Sequence, residues 1–233
     1  MSRTIKDQTV EQLGGRRSIL ARQRRDHAEL DRLMDDYQAL GAGEERERIL
    51  REIVQLVFSH AFAEETVLWP VLRRCAAEGE DLTSRVEEEH QQINDLVADV
   101  ERLPVGDPER EEKVRRAFVL VRQDIRDEED LLLPRLQEAM DTAGLRRLGA
   151  AWETVRGTAP THPHPLIPRR PPGNAVLGVP LSLYDRARSA FGSAGCGAAL
   201  KKGPMALAGV ALSVAFAAAV RRHSRHRGRV RCP

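Results

Sequence analysis

Between Ser18 and about Arg156 the apolar residues recur every three or four positions and nowhere alternate as a strand would. That period restricts the stretch to amphipathic helices whose apolar stripes must cover one another. Four long stripes emerge. The first carries Leu20, Gln23, His27, Leu30, Met34 and Tyr37 and stops at Gly41-Ala42-Gly43. The second, from about Glu44 to Glu78, carries Ile49, Ile53, Leu56, Val57, His60, Glu64, Val67 and Leu68, and Gly79 closes it. The third begins near Asp81 to Ser84, where Ser84 and Glu87 have capping-box spacing, and carries Val86, His90, Ile93, Val97 and Val100 up to Pro104 and Gly106. Asp107 as N-cap and Pro108 at the first helical position open the fourth, with Val114, Phe118, Val121, Asp124, Ile125, Glu128, Leu131 and Leu132 on its face. Short connections between four helices of similar length make neighbours antiparallel, so the sequence predicts an all-α, up-down-up-down four-helix bundle. A shorter segment, Leu145 to Val155, is expected on its outside.

The second and fourth stripes are copies of one pattern. LVFSHAFAEETVLWPVLR at residues 56–73 matches LVRQDIRDEEDLLLPRLQ at residues 120–137 with an offset of 64, so that Glu64, Glu65, Leu68 and Pro70 recur as Glu128, Glu129, Leu132 and Pro134. Under that offset His60 corresponds to Asp124, and His27 pairs with His90 at an offset of 63. Residues four apart on a helix point the same way, so His60 with Glu64 and Asp124 with Glu128 each form a two-toothed comb. His27, His60, Glu64, His90, Asp124 and Glu128 thus lie on stripes that otherwise hold Ile, Val and Leu. Burying six such groups is tolerable only if something satisfies them jointly, and a pair of divalent metal ions does so. The flanking acidic runs Glu87 to Glu89 and Asp127 to Asp130, apart from Glu128, read as solvated faces, and the bend at Pro70 and Pro134 is expected to aim the preceding Glu inward.

The formal charge of +2 is a cancellation: residues 1–156 hold 25 Lys+Arg against 34 Asp+Glu, and residues 157–233 hold 12 against Asp185 alone. From Gly157 the run THPHPLIPRRPPGN withdraws helix donors and marks a domain boundary. The expected layout is an N-terminal extension (1–17), a helical metal-binding domain (18–156) and a Pro-rich, basic, largely irregular tail (157–233). The uncharged stretch Met205 to Val220 would span roughly 24 Å as a helix, short of the roughly 30 Å hydrocarbon core. With Lys201-Lys202 before it and arginines after it, residues 201–231 suit an anionic membrane surface, and equally a tail docked on the acidic body. Without interleaved aromatics, nucleic acid is not the expected partner. Three scattered cysteines form no C-x-x-C pair, and the first twenty residues have no apolar run, so a cytoplasmic location is expected.

The pattern H…H-x3-E followed by H…D-x3-E on four antiparallel helices resembles the hemerythrin-like, HHE cation-binding proteins over roughly residues 18 to 141. The resemblance implies a non-heme di-iron site, with manganese as a possible substitute, in which Glu64 and Glu128 bridge and His27, His60 and His90 are terminal ligands. Asp124 stands where the family usually has histidine; as a hard oxygen donor it favours ferric over ferrous iron. The implied function is binding of dioxygen, peroxide or nitric oxide in sensing, iron handling or oxidative defence, leaning away from an enzyme. The competing expectations are a peroxide-decomposing or oxidase-type enzyme at the same site, and a metal-free helical interaction module tethered by its tail.

Overall fold

The computed structural model of the protein describes residues 4–159. Among them are five helices and no strand: α1 (Ile19–Ala39), α2 (Glu44–Ala63, continued by a π-helical turn Glu64–Leu68 into Trp69–Cys75), α3 (Gly79–Arg102), α4 (Pro108–Asp127, continued by a second π turn Glu128–Leu132 into Leu133–Ala139) and α5 (Thr142–Arg156). Helices α1 to α4 form the expected up-down-up-down bundle. Their starts are chemical: the Ser18 hydroxyl accepts from Leu20 N–H, the Asp107 carboxylate from Glu109 N–H and the Asp141 carboxylate from Gly144 N–H. The expected start of α3 is wrong by about a turn. It begins at Gly79, the Thr83 hydroxyl donates back to Gly79 O (2.7 Å), and Glu87 faces Arg73 (2.7 Å) instead of capping.

The core divides into two apolar clusters. One gathers Leu20, Leu68, Trp69, Leu72, Val86, Leu132 and Leu136 at one end of the bundle. The other gathers Leu30, Met34, Tyr37, Ile53, Ile93, Val97, Phe118 and Val121 toward the opposite end. On every bundle helix the polar residues of the stripes fall between the two clusters, so antiparallel packing brings them to one level. The duplication is visible at the far end as well, where Arg46 reaches Glu111 (2.7 Å) and Arg110 reaches Glu47 (2.6 Å), reciprocal pairs related by the same offset of 64.

Two segments outside the four helices complete the first cluster. Ile5 and Leu13 from the N-terminal segment are fully buried in it. Helix α5 supplies Leu145, Leu148 and the fully buried Trp152, and it approaches so closely at Gly149 that a Cβ there would lie 2.4 Å from Arg17 O. It is therefore part of the core and not an outside addition. No helix among the described residues is long and apolar enough to cross a membrane, and the expected tail helices, Ala175 to Ala190 and Met205 to Val220, lie outside those residues.

Candidate metal centre

All six polar stripe residues are buried, with Asp124 the most accessible at 9%. The Nε2 atoms of His27 and His60 face each other at 3.3 Å. His60 Nε2 lies 3.0 Å from Glu64 Oε1, and His27 Nε2 lies 3.1 Å from Glu128 Oε2. Across the bundle axis, His90 Nε2 stands 3.5 Å from Asp124 Oδ2, 3.7 Å from Glu64 Oε2 and 4.0 Å from Glu128 Oε1. Each of the two glutamates therefore offers one oxygen to the His27–His60 side and the other to the His90–Asp124 side. The donors fall into two compact groups, His27/His60/Glu64/Glu128 and His90/Asp124/Glu128.

The π turns explain how two consecutive glutamates can both be internal. Proline at 70 and 134 has no N–H, so the α-helical bond at that step is missing. Instead Trp69 N–H reaches back five residues to Glu64 O, and Leu133 N–H to Glu128 O. The widened turn buries Glu64 and Glu65 together, and likewise Glu128 and Glu129. The second member of each pair holds a histidine of the opposite hairpin: Glu129 Oε1 lies 3.0 Å from His27 Nδ1, and Glu65 Oε1 lies 2.9 Å from His90 Nδ1. The expectation that the acidic runs are solvated fails at Glu129, and at Glu87, which is buried against Arg73. The signal for Glu65 and Glu129 was present in the duplication, where the pair recurs as a unit.

His60 is oriented differently. Its Nδ1 lies 3.6 Å from Asp26 Oδ2, Asp26 is held by Arg156 (3.1 Å), and the Trp152 ring packs edge-on at 5.5 Å between centroids. Thus α5 supports the centre directly. In the other half Glu89 precedes His90 as Asp26 precedes His27. Burial and the charge of Asp124 push Glu89 up from the ordinary carboxylate range, so the carboxylate that would support a ring at position 124 faces a carboxylate instead.

The buried imidazoles and carboxylates shift one another's protonation. Burial lowers His27, but the close carboxylate of Glu128 and the hydrogen bond that Glu129 accepts from the ring outweigh it and hold the imidazole up at about 9. His60 and His90 are likewise raised, against burial, by Glu64 and Asp26 in the first case and by Asp124 and Glu65 in the second. Burial and the charge of Glu128 push Glu64 up to about 7, while burial is overcome at Glu128 by His27 and His60, which pull it below the usual range.

Both oxygens of Glu64, both of Glu128, Asp124 Oδ1 and His90 Nε2 are buried with no hydrogen-bond partner among the described residues. Orphaned atoms of this number are rare in a native interior, and here they converge from three helices on one level. The donor set of imidazoles and carboxylates matches the preferences of iron, manganese or zinc. The residues present therefore fit a metal.

The comparisons with known proteins agree. The family model of the hemerythrin HHE cation-binding domain matches residues 18–136. The chain belongs to the hemerythrin HHE cation-binding family. An uncharacterized hemerythrin-like protein of Schizosaccharomyces pombe is 22% identical over 161 residues, covering 67% of this chain and 79% of that protein. No solved structure matches the chain significantly. Within this hemerythrin-like domain the matched region ends before α5, so the Trp152 and Arg156 contacts to His60 and Asp26 lie beyond it.

Because Glu129 fixes the ring of His27 through its Nδ1, Glu129→Gln should weaken metal uptake about 10- to 100-fold while the helix content stays constant. Competition against a chelator of known affinity measures it. An unchanged affinity would show that the Glu129 contact does not tune the centre.

Proposed function

We propose that the hemerythrin-like domain holds two non-heme iron ions, bridged by Glu64 and Glu128, with His27 and His60 completing one and His90 and Asp124 the other. What carries this reading is the division of each glutamate's oxygens between the two donor groups. Manganese fits the same set, and Asp124 makes it more competitive than a fourth imidazole would. When bound, such a pair supplies a positively charged, redox-active position for a small exogenous ligand. The chain's own residues define that ligand. A cavity of about 10 Å³, room for one water-sized molecule, adjoins the imidazoles and is walled by Leu30, Val57, Ala61, Val121 and Ile125. That volume leaves no room for an organic substrate. Dioxygen, peroxide or nitric oxide matches that size, and the reading is therefore binding and sensing of such a molecule, or protection against it.

The negative charge of Asp124 favours the ferric state, so this domain is suited to responding to an oxidant more than to reversible carriage of oxygen. Iron analysis of chain made in iron-supplemented medium tests the metal: about two per chain is expected, and well under one refutes the di-metal reading. Asp124→His tests the redox bias. The introduced ring would find Glu89 as its support, as His60 finds Asp26, and the ferrous form should survive in air several times longer. Equal lifetimes in the two proteins would remove Asp124 from the ligand set.

A further inference from the structure

On the outer side of the centre, His27 and Glu129 form the floor of a solvent-open basin of about 590 Å³. Its rim carries Lys6, Arg16, Arg24 and Arg25. Four cations gathered at one opening depart from the acidic character of residues 1–156, with their 25 Lys+Arg against 34 Asp+Glu. The two acids of the lining are already engaged, Asp31 with Arg122 (3.2 Å) and Glu129 with His27. Arg25 spends part of its fork on Asp26, and Arg24 donates to the Gln8 carbonyl. The exposed side chains of Lys6 and Arg16 make no hydrogen bond or ion pair among the described residues. Positive charge concentrated at a concave opening, with Lys6 and Arg16 unpaired among the described residues, draws in anions, and arginine forks match phosphate and carboxylate oxygens.

We propose that this basin is a binding site for a small multivalent oxyanion, phosphate- or carboxylate-bearing, seated behind His27. The volume is that of a metabolite site and far exceeds a diatomic molecule, while Val10, Ala21 and Ala28 supply apolar wall. Residues 157–233 carry 12 Lys+Arg against one acid, so their composition does not supply the anion. Lys6, Val10 and Arg16 come from the N-terminal segment, outside residues 18–136 that the family model matches, and the rest of the lining lies within them. That segment is fastened to the support of His27. Ile5 N–H (3.0 Å) and the Thr4 hydroxyl (3.2 Å) both donate to the backbone carbonyl of Glu129, whose carboxylate holds the His27 ring. A bound oxyanion thus sits against the residues that orient a ligand of the centre, and its influence on the metal, unlike its binding, rests on the di-metal reading.

The test titrates the metal-free full chain calorimetrically with pyrophosphate and, separately, with citrate. At least one should bind saturably, and the Lys6→Gln/Arg16→Gln double variant should weaken it at least about tenfold. The Arg51→Gln/Arg116→Gln variant removes the same charge elsewhere and leaves the tail intact, so it should bind as the unmodified chain does. No saturable binding, or equal weakening in both double variants, overturns the basin. Titration of the iron-loaded chain followed by its visible absorption reads the coupling: a shift is expected, and it should vanish in Lys6→Gln/Arg16→Gln. A chain that takes up no iron but binds the anion through Lys6 and Arg16 overturns the metal reading and leaves the basin standing. Iron uptake with an isotherm indifferent to Lys6→Gln/Arg16→Gln does the reverse.

Discussion

Glu128→Ala is expected to abolish binding of both metal ions, lowering content from about two per chain to a small fraction of one. The reason is positional: Glu128, like Glu64, divides its oxygens between the two donor groups, with Oε2 3.1 Å from His27 Nε2 and Oε1 4.0 Å from His90 Nε2. Asp124→Ala removes a terminal donor from one group only and should leave about one ion bound. The Glu128 change also removes a buried carboxylate that lies within 4.0 Å of all three histidines, at a cost of roughly 3–5 kcal/mol to the metal-free chain. Metal analysis and thermal melting together check this. The exposed Glu88→Ala should match the unmodified chain in both. Retention of two ions in Glu128→Ala would mean that the donors do not meet at that carboxylate.

The second large effect is the dependence of the metal-free chain on pH. A histidine whose pKa is raised by folding stabilises the fold fully below its unfolded value and ceases to do so as pH climbs through the folded one. For His27 that window runs from 6.5 to about 9, and the shift corresponds to roughly 3 kcal/mol. His60 and His90 are displaced in the same direction. Glu64, raised to about 7, acts with the same sign, its contribution disappearing as pH rises through that value. The metal-free chain should therefore melt progressively lower between pH 6.5 and about 9. Metal binding runs the other way, since the ions compete with protons for the same atoms, and affinity should rise over that interval. At pH 7 uptake should release about three to four protons, one from each raised histidine and about half of one from Glu64, as read by calorimetry in buffers of different ionisation enthalpy. A melting temperature flat from pH 6.5 to 9 would show that the histidines are not held protonated by the surrounding carboxylates.

The six candidate donors were legible because each lies on a helical stripe whose other members are apolar. A single helix records which of its own residues face inward, and His27, His60, Glu64, His90, Asp124 and Glu128 are all recorded this way. The supporting residues are less so. Glu65 and Glu129 are adjacent to donors, and ideal α-helical spacing would turn them about 100° away. Only the π turns ahead of Pro70 and Pro134 bring them inside, where each holds a histidine of the other hairpin. The start of α3 was misplaced because Ser84 and Glu87 have the form of a cap, and the packing of Glu87 against Arg73 decided otherwise.

The helical class, the antiparallel order, the internal duplication and the level at which polar residues interrupt the apolar stripes are all legible in the chain before it folds. All of these follow from periods of a few residues or from comparing the chain with itself. The tertiary structure decided which carboxylate faces which nitrogen, because partners such as Glu129 and His27 lie 102 residues apart and meet only through the register of packed helices. It also placed Trp152 and Arg156 behind His60 and drew Lys6 and Arg16 to one rim with Arg24 and Arg25. Side-chain periodicity says which way a residue points. What it meets there depends on the height and rotation of neighbouring elements, which burial of the two apolar clusters sets.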